Sequence, residues 1–193
     1  MITDIKINVK SISLGSEEIE LFFGDTVVSC CVSYMGREPF STLIQSLIAF
    51  NEETVNRDYR TFHTYWADDP DGGWDVDFYW DLETDTVEFM IEYDNKKKGE
   101  LREIKYWEFE VSYKDYKRAV IGEGLRLLKK YGLAGFNQNW CDGYDTFPIN
   151  SFLMLLGNTS EYDEKKEVLF SNIFSELKLL KSALNTIRTL PAS

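Results

Sequence analysis

Histidine occurs once in this 193-residue chain, at His63. A single imidazole excludes every metal site built on two histidines, the H-E-x-x-H zinc motif included. Cysteine is scarce as well: Cys30, Cys31 and Cys141 form an odd set with no C-x-x-C spacing, so neither a disulfide framework nor a thiolate metal site is written here. Adjacent Cys30 and Cys31 would point to opposite faces of a strand, which suits buried thiols. The glycine patterns that cradle phosphates are missing, since neither G-x-G-x-x-G nor a P-loop occurs. Gly122-Glu123-Gly124 falls inside a helical pattern, where close helix packing explains it better. No apolar run approaches a membrane span, and the opening MITDIKINVK lacks the basic start and apolar stretch of a secretory signal. The cytoplasm is the expected location.

Positive charge is the remaining shortage. Twenty-one basic residues face 33 acidic ones, for a net charge of -12 and an isoelectric point near 4.6. Such a field repels nucleic acid and anionic membrane surfaces and speeds encounter with a basic partner. It also keeps an aromatic-rich chain in solution.

What is present is a chain that folds: 44% of residues are hydrophobic and 15% aromatic, well above disordered compositions. The length suits one core. The pattern predicts an α+β domain over residues 1–157, a mainly antiparallel twisted sheet of six to seven strands covered by helices. A helical extension over 158–193 would pack on the same domain or on a partner, with 157–163 as the hinge.

Period-two alternation marks the strands. Ile5, Ile7 and Val9 alternate with Lys6, Asn8 and Lys10. Strands over 18–23 and 26–34 follow around the Gly24-Asp25 turn, the second apolar enough to read as a central strand. Pro39 starts a helix, since proline fits the first turn, and Phe40, Leu43, Ile44, Leu47 and Ile48 form its apolar stripe. Strands over 59–66, 74–82, 86–93 and 101–113 complete the sheet, with a breaker-rich turn over 67–73. Asp115 is placed to cap a helix running to Tyr131, and Gly132 to end it. An aromatic loop over 135–148, a short helix to Leu156 and a long helix over 164–189 close the chain. Leu169, Ile173, Leu177, Leu180, Leu184 and Ile187 give that last helix a single seam, fit to pack on the body or on a second helix.

The densest stretch runs over 64–94. In it Trp74, Val76, Phe78 and Trp80 share one face of a strand, and Asp75, Asp77, Tyr79 and Asp81 share the other. Asp68, Asp69, Asp71, Asp75 and Asp77 crowd one turn, as a calcium loop would. A loop counted from Asp69 would need glycine at its sixth position and glutamate at its twelfth, and those positions hold Trp74 and Trp80. A glycosidase needs two carboxylates across an aromatic-lined cleft, but strand parity sends these aromatics and carboxylates to opposite faces. A Cys–His pair with His63 is open to any of the three cysteines, and no local pattern favours it. The sequence therefore calls for no cofactor, no metal and no catalytic residue.

Three short stretches carry a family likeness. They are Glu38-Pro39-Phe40 with Leu43 and Ile44; the turn from Trp66 to Gly73 ahead of Trp74; and Tyr131-Gly132-Leu133 followed by Trp140 and Phe147-Pro148-Ile149. Over about residues 27–156 the chain resembles bacterial immunity proteins of polymorphic toxin and contact-dependent inhibition systems. The resemblance implies a small, cofactor-free cytoplasmic protein that neutralises a basic, nuclease-like toxin by covering its active surface. The expected contact residues are Asp68, Asp69, Asp71, Trp74, Asp75 and Asp77, with Trp140, Asp142 and Tyr144 as a second edge. Two rival readings stay open: a hydrolytic enzyme using the carboxylates of the 68–77 region, and a self-associating structural protein that dimerises through the C-terminal helix.

Overall fold

Among the described residues, seven strands and three helices follow in the order β1 (Ile5–Ser13), β2 (Ser16–Phe23), β3 (Thr26–Ser33), α1 (Pro39–Asn51), β4 (Tyr59–Asp68), β5 (Gly72–Asp81), β6 (Thr86–Asn95), β7 (Glu103–Ser112), α2 (Tyr113–Asn139) and α3 (Ile149–Leu155). The structure, a computed structural model, describes residues 2–13, 16–33, 37–51, 59–68, 72–95, 102–139 and 147–156. The hinge expected over 157–163, the C-terminal helix and the tip of the 67–73 turn fall outside the described residues.

The α+β class is as expected, but the single sheet is not. The strands form two antiparallel sheets, β1-β2-β3 and β4-β5-β6-β7. After β3 the chain enters α1, which is buried on nearly every side, and the next strand pairs onward with β5. Trp66 on β4 fixes that arrangement by donating its indole N–H to Thr42 Oγ1 of α1 at 2.9 Å. The segment ahead of β1 joins the large sheet through a parallel bridge between Ile2 and Glu110, with Thr3 N–H donating to the Glu110 carbonyl at 2.8 Å. β3, expected to be central, is an edge strand; its inward Val28, Cys30 and Val32 are buried, while Val27 is 45% exposed. β2 takes the central place.

β1 shows how a local irregularity serves the core. Its register with β2 shifts between Val9 and Ser11. Strict alternation from Ile5, Ile7 and Val9 would turn Ile12 outward; one extra residue flips the parity, and Ile12 is buried. α2 clamps the backbone there: Val9 N–H donates to Glu123 Oε1 at 2.6 Å, and Arg126 Nη2 donates to the Val9 carbonyl at 2.6 Å. Glu123 and Arg126 are themselves paired at 2.6 Å. Two polar side chains thus satisfy backbone groups that a buried bulge would leave orphaned.

The core lies between the sheets and the helices. Phe23 of β2 stacks on Phe109 of β7 at 3.9 Å and meets Phe89 edge-on. Tyr116 of α2 packs against Phe78 and Phe89, and its hydroxyl pairs with that of Ser46 of α1 at 2.7 Å. A Cβ on Gly124 would stand 2.5 Å from the Phe152 ring, so α2 and α3 meet through a missing side chain, as the glycine pair suggested.

Two helix boundaries differ from expectation. Ser112, not Asp115, is the cap of α2: its hydroxyl accepts Asp115 N–H at 3.0 Å and donates to the Asp115 carboxylate at 2.6 Å, so the capping side chain is held by the residue it caps. Gly132 breaks the helix with a positive φ and extended ψ (66°, 173°), a conformation open essentially to glycine alone. Helix resumes beyond it to Asn139, shortening the loop expected over 135–148.

Candidate functional site

The helices sit on one side of the four-stranded sheet, and alternation decides what the other side shows. Phe62, Thr64 and Trp66 on β4, Val76 and Phe78 on β5, Phe89 and Ile91 on β6 and Val111 on β7 turn toward the core. Their neighbours turn away, and the register brings them into cross-strand rows. Tyr65 pairs with Asp75, Asp75 with Glu92 and Glu92 with Tyr106; His63 pairs with Asp77, Asp77 with Met90 and Met90 with Glu108; Thr61 pairs with Tyr79, Tyr79 with Glu88 and Glu88 with Glu110. No lysine or arginine occupies a position in these rows. Tyr65 is 43% exposed and Tyr106 50%.

Local interactions hold this face in shape. His63 donates or accepts through Nδ1 with Asp77 Oδ1 at 2.9 Å, and its Nε2 stands 3.8 Å from Asp75. Tyr65 lies across Gly73, where a Cβ would meet its hydroxyl at 2.1 Å; the absent side chain lets the ring cover the backbone, and the hydroxyl donates to the Gly72 carbonyl at 3.2 Å. At the β5–β6 turn Asp81 Oδ1 accepts the N–H groups of Glu83 (2.8 Å) and Thr84 (3.4 Å), which holds its carboxyl below the usual range. Asp85 closes that turn at φ 54°, a conformation aspartate tolerates.

A groove of about 680 Å³ opens at this end of the face, lined by Thr3, Tyr79, Asp81, Glu83, Thr84, Thr86, Glu88, Glu108, Phe109 and Glu110. Crowding tells on its acids. Partial burial, then the neighbouring carboxyls of Glu108 and Glu110, push Glu88 above the ordinary glutamate range. Burial and then the charges of Asp77 and Glu88 push the Tyr79 phenol up. A cation brought to this groove would relieve that repulsion.

The residues singled out from sequence separate. Asp75 and Asp77 stand on the outward face, on either side of His63. Asp68 does not join them: it is on the core-side parity of β4 and accepts the Tyr93 hydroxyl at 2.9 Å. Trp74 is also on the core side, 7% exposed and packed on Tyr93 and Trp107, so it cannot meet a partner docked outside. Asp69, Asp71, Trp140, Asp142 and Tyr144 fall outside the described residues. Glu88, Glu92, Tyr106, Glu108 and Glu110 complete the face and were missed as site residues. Their parity was readable strand by strand, but only the β5–β6–β7 register places them beside Asp75 and Asp77.

Among the described residues no cluster of three or more histidine, cysteine or acidic side chains is arranged to hold a metal ion, and no helix is long and apolar enough to cross a membrane. Cys30 and Cys31 are both free thiols, but of the two expected to be buried only Cys30 is, and Cys31 is exposed because edge strand β3 turns its alternate residues outward. Burial raises both thiols above their ordinary range, away from a reactive thiolate. No family model matches the chain, and neither does any curated protein or solved structure.

Proposed function

We propose that this chain is a cofactor-free binding protein that takes a basic protein onto the outward face of β4-β5-β6-β7, acting as an immunity protein that covers the active surface of a nuclease-like toxin. The observation that carries the reading is the composition of that face: Asp75, Asp77, Glu88, Glu92, Glu108 and Glu110 share it with exposed Tyr65 and Tyr106, and no lysine or arginine alternates with them. Complementary charge speeds encounter and fixes orientation, while tyrosine provides large contact area at low entropic cost. A rigid four-stranded sheet with aromatic packing beneath it changes little on docking, which favours tight association.

An open sheet face supports binding better than turnover. His63, Asp75 and Asp77 stand in solvent-facing rows rather than in an enclosed cleft, where desolvation would tune them for proton transfer. The direct test is co-purification with the C-terminal domain of a toxin encoded beside this gene. Recovery of a stoichiometric complex at micromolar concentration, with loss of toxin activity, supports the proposal; no recovery at that concentration removes it.

A further inference from the structure

Far from the acidic face, two carboxyl groups meet in the core. Glu17 of β2 is 1% exposed and Glu38, just ahead of α1, is fully buried. Glu17 takes the inward parity of β2 with Ile19, Leu21 and Phe23, opposite Val32. Glu38 lies at the start of α1, where its Oε1 accepts Phe40 N–H at 2.8 Å and its Oε2 accepts Ser41 N–H at 2.6 Å. The side chains are within hydrogen-bonding reach of each other. Yet both Glu17 oxygens are sealed from solvent without a well-formed hydrogen bond, the only donor acting on them among the described residues being the Phe40 N–H that Glu38 already holds. Two ionised carboxylates can only accept, so a bond between them needs a proton on one. Leaving two bare charges side by side in a core would cost far more than keeping that proton.

We infer that Glu17 and Glu38 share a single proton in the folded protein, carried on Glu17, and that this O–H···O bond latches the central strand of the small sheet to the first turn of α1. The helix decides which partner is neutral: the N–H groups of Phe40 and Ser41 and the positive end of the helix dipole favour charge on Glu38, whereas Glu17 feels only the weaker pull of the shared Phe40 N–H. Burial first, then the nearby Glu38 charge, drives the Glu17 carboxyl well above the glutamate range; burial also raises Glu38, against the pull of its hydrogen-bond donors. Among the described residues, the other titratable groups acting with Glu17 are Cys30 of β3, whose thiol burial keeps neutral, and Glu123 of α2, whose charge is paired with Arg126. None of these offers Glu17 a cation.

The latch makes stability depend on pH with a definite sign. A carboxyl whose folded value lies above its unfolded one binds more protons in the folded state, so its contribution is complete at low pH. It is lost progressively as pH rises from the ordinary glutamate range through the raised folded value. Glu17→Gln keeps a donor toward Glu38 but cannot ionise. Urea denaturation midpoints of wild type and E17Q, followed from acid to alkaline pH, should coincide at the acid end and diverge as pH rises, E17Q becoming the more stable. Midpoints that run parallel across the range overturn the inference. Infrared spectroscopy of the wild type at about pH 8, well above the unperturbed glutamate range, gives a reading that does not require a variant to fold. A carbonyl stretch from a protonated carboxyl supports the shared proton, and its absence overturns it.

Discussion

Gly122 and Gly124 stand two positions apart on α2 and face opposite constraints. A Cβ at Gly124 would press on the Phe152 ring at 2.5 Å, whereas one at Gly122 meets nothing within 4 Å. Gly122→Ala should therefore stabilise the fold by about 1 kcal/mol through helix propensity, and Gly124→Ala should cost roughly 1–3 kcal/mol through overpacking; thermal and urea denaturation of the two variants check both signs. Arg126→Met probes the clamp on β1. It removes the donor to the Val9 carbonyl and the cation beside buried Glu123, for an expected loss of about 2–4 kcal/mol in urea denaturation. Single residues were unevenly legible. The opposite facing of Cys30 and Cys31 and the close packing at Gly124 could be read from local pattern. Glu17 could not, because a glutamate between two strands reads as surface until the partner across the core is known. Trp74 misled for the reverse reason: an aromatic beside a charged turn suggests a contact anchor, although its own strand parity already turned it inward.

At the level of elements, alternation was the strongest signal, since it depends only on the two-residue period of a strand. It located the strands of the large sheet and gave β5, β6 and β7 an acidic side. It carried no information about which edges pair, so one sheet was expected where two form, and β3 was taken for a central strand. Bulges are equally silent, and the shift after Val9 that turns Ile12 inward shows only in the register. Helix ends were better marked, although the cap is Ser112 and Asp115 is the residue it caps; Ser112→Ala should cost about 1 kcal/mol by removing that cap, as thermal denaturation will measure. The acidic face has its own pH signature. Glu88 holds its proton above the ordinary glutamate range because it is partly buried and crowded by Glu108 and Glu110. Its contribution to stability is thus present at low pH and shrinks as pH rises through the raised value. Glu88→Gln should leave acid stability unchanged and raise the urea midpoint at neutral pH.

For the molecule as a whole, the net charge of -12 is not spread as a bland solvating coat. The outward rows of the large sheet concentrate carboxylates beside tyrosines, while the opposite side of the same sheet supplies Trp66, Phe78 and Phe89 to the core. The sequence reading turned Asp75 and Asp77 outward, where they stand, and centred the expected contact surface on the turn, whereas the proposed face lies on the sheet. The shift matters because a sheet presents its groups at fixed spacing. A docking surface of this kind differs from simple electrostatic attraction in one measurable respect: position matters as well as total charge. The decisive measurement is the association rate and affinity for the toxin domain proposed as partner, at low salt, compared between two double variants of equal net charge. Asp77→Lys with Glu88→Lys alters the face, and Asp4→Lys with Asp25→Lys alters exposed positions outside it. The face variant should lose at least about tenfold in association rate and more in affinity, with the control variant close to wild type. Equal losses in both would contradict the assignment of the partner to this face.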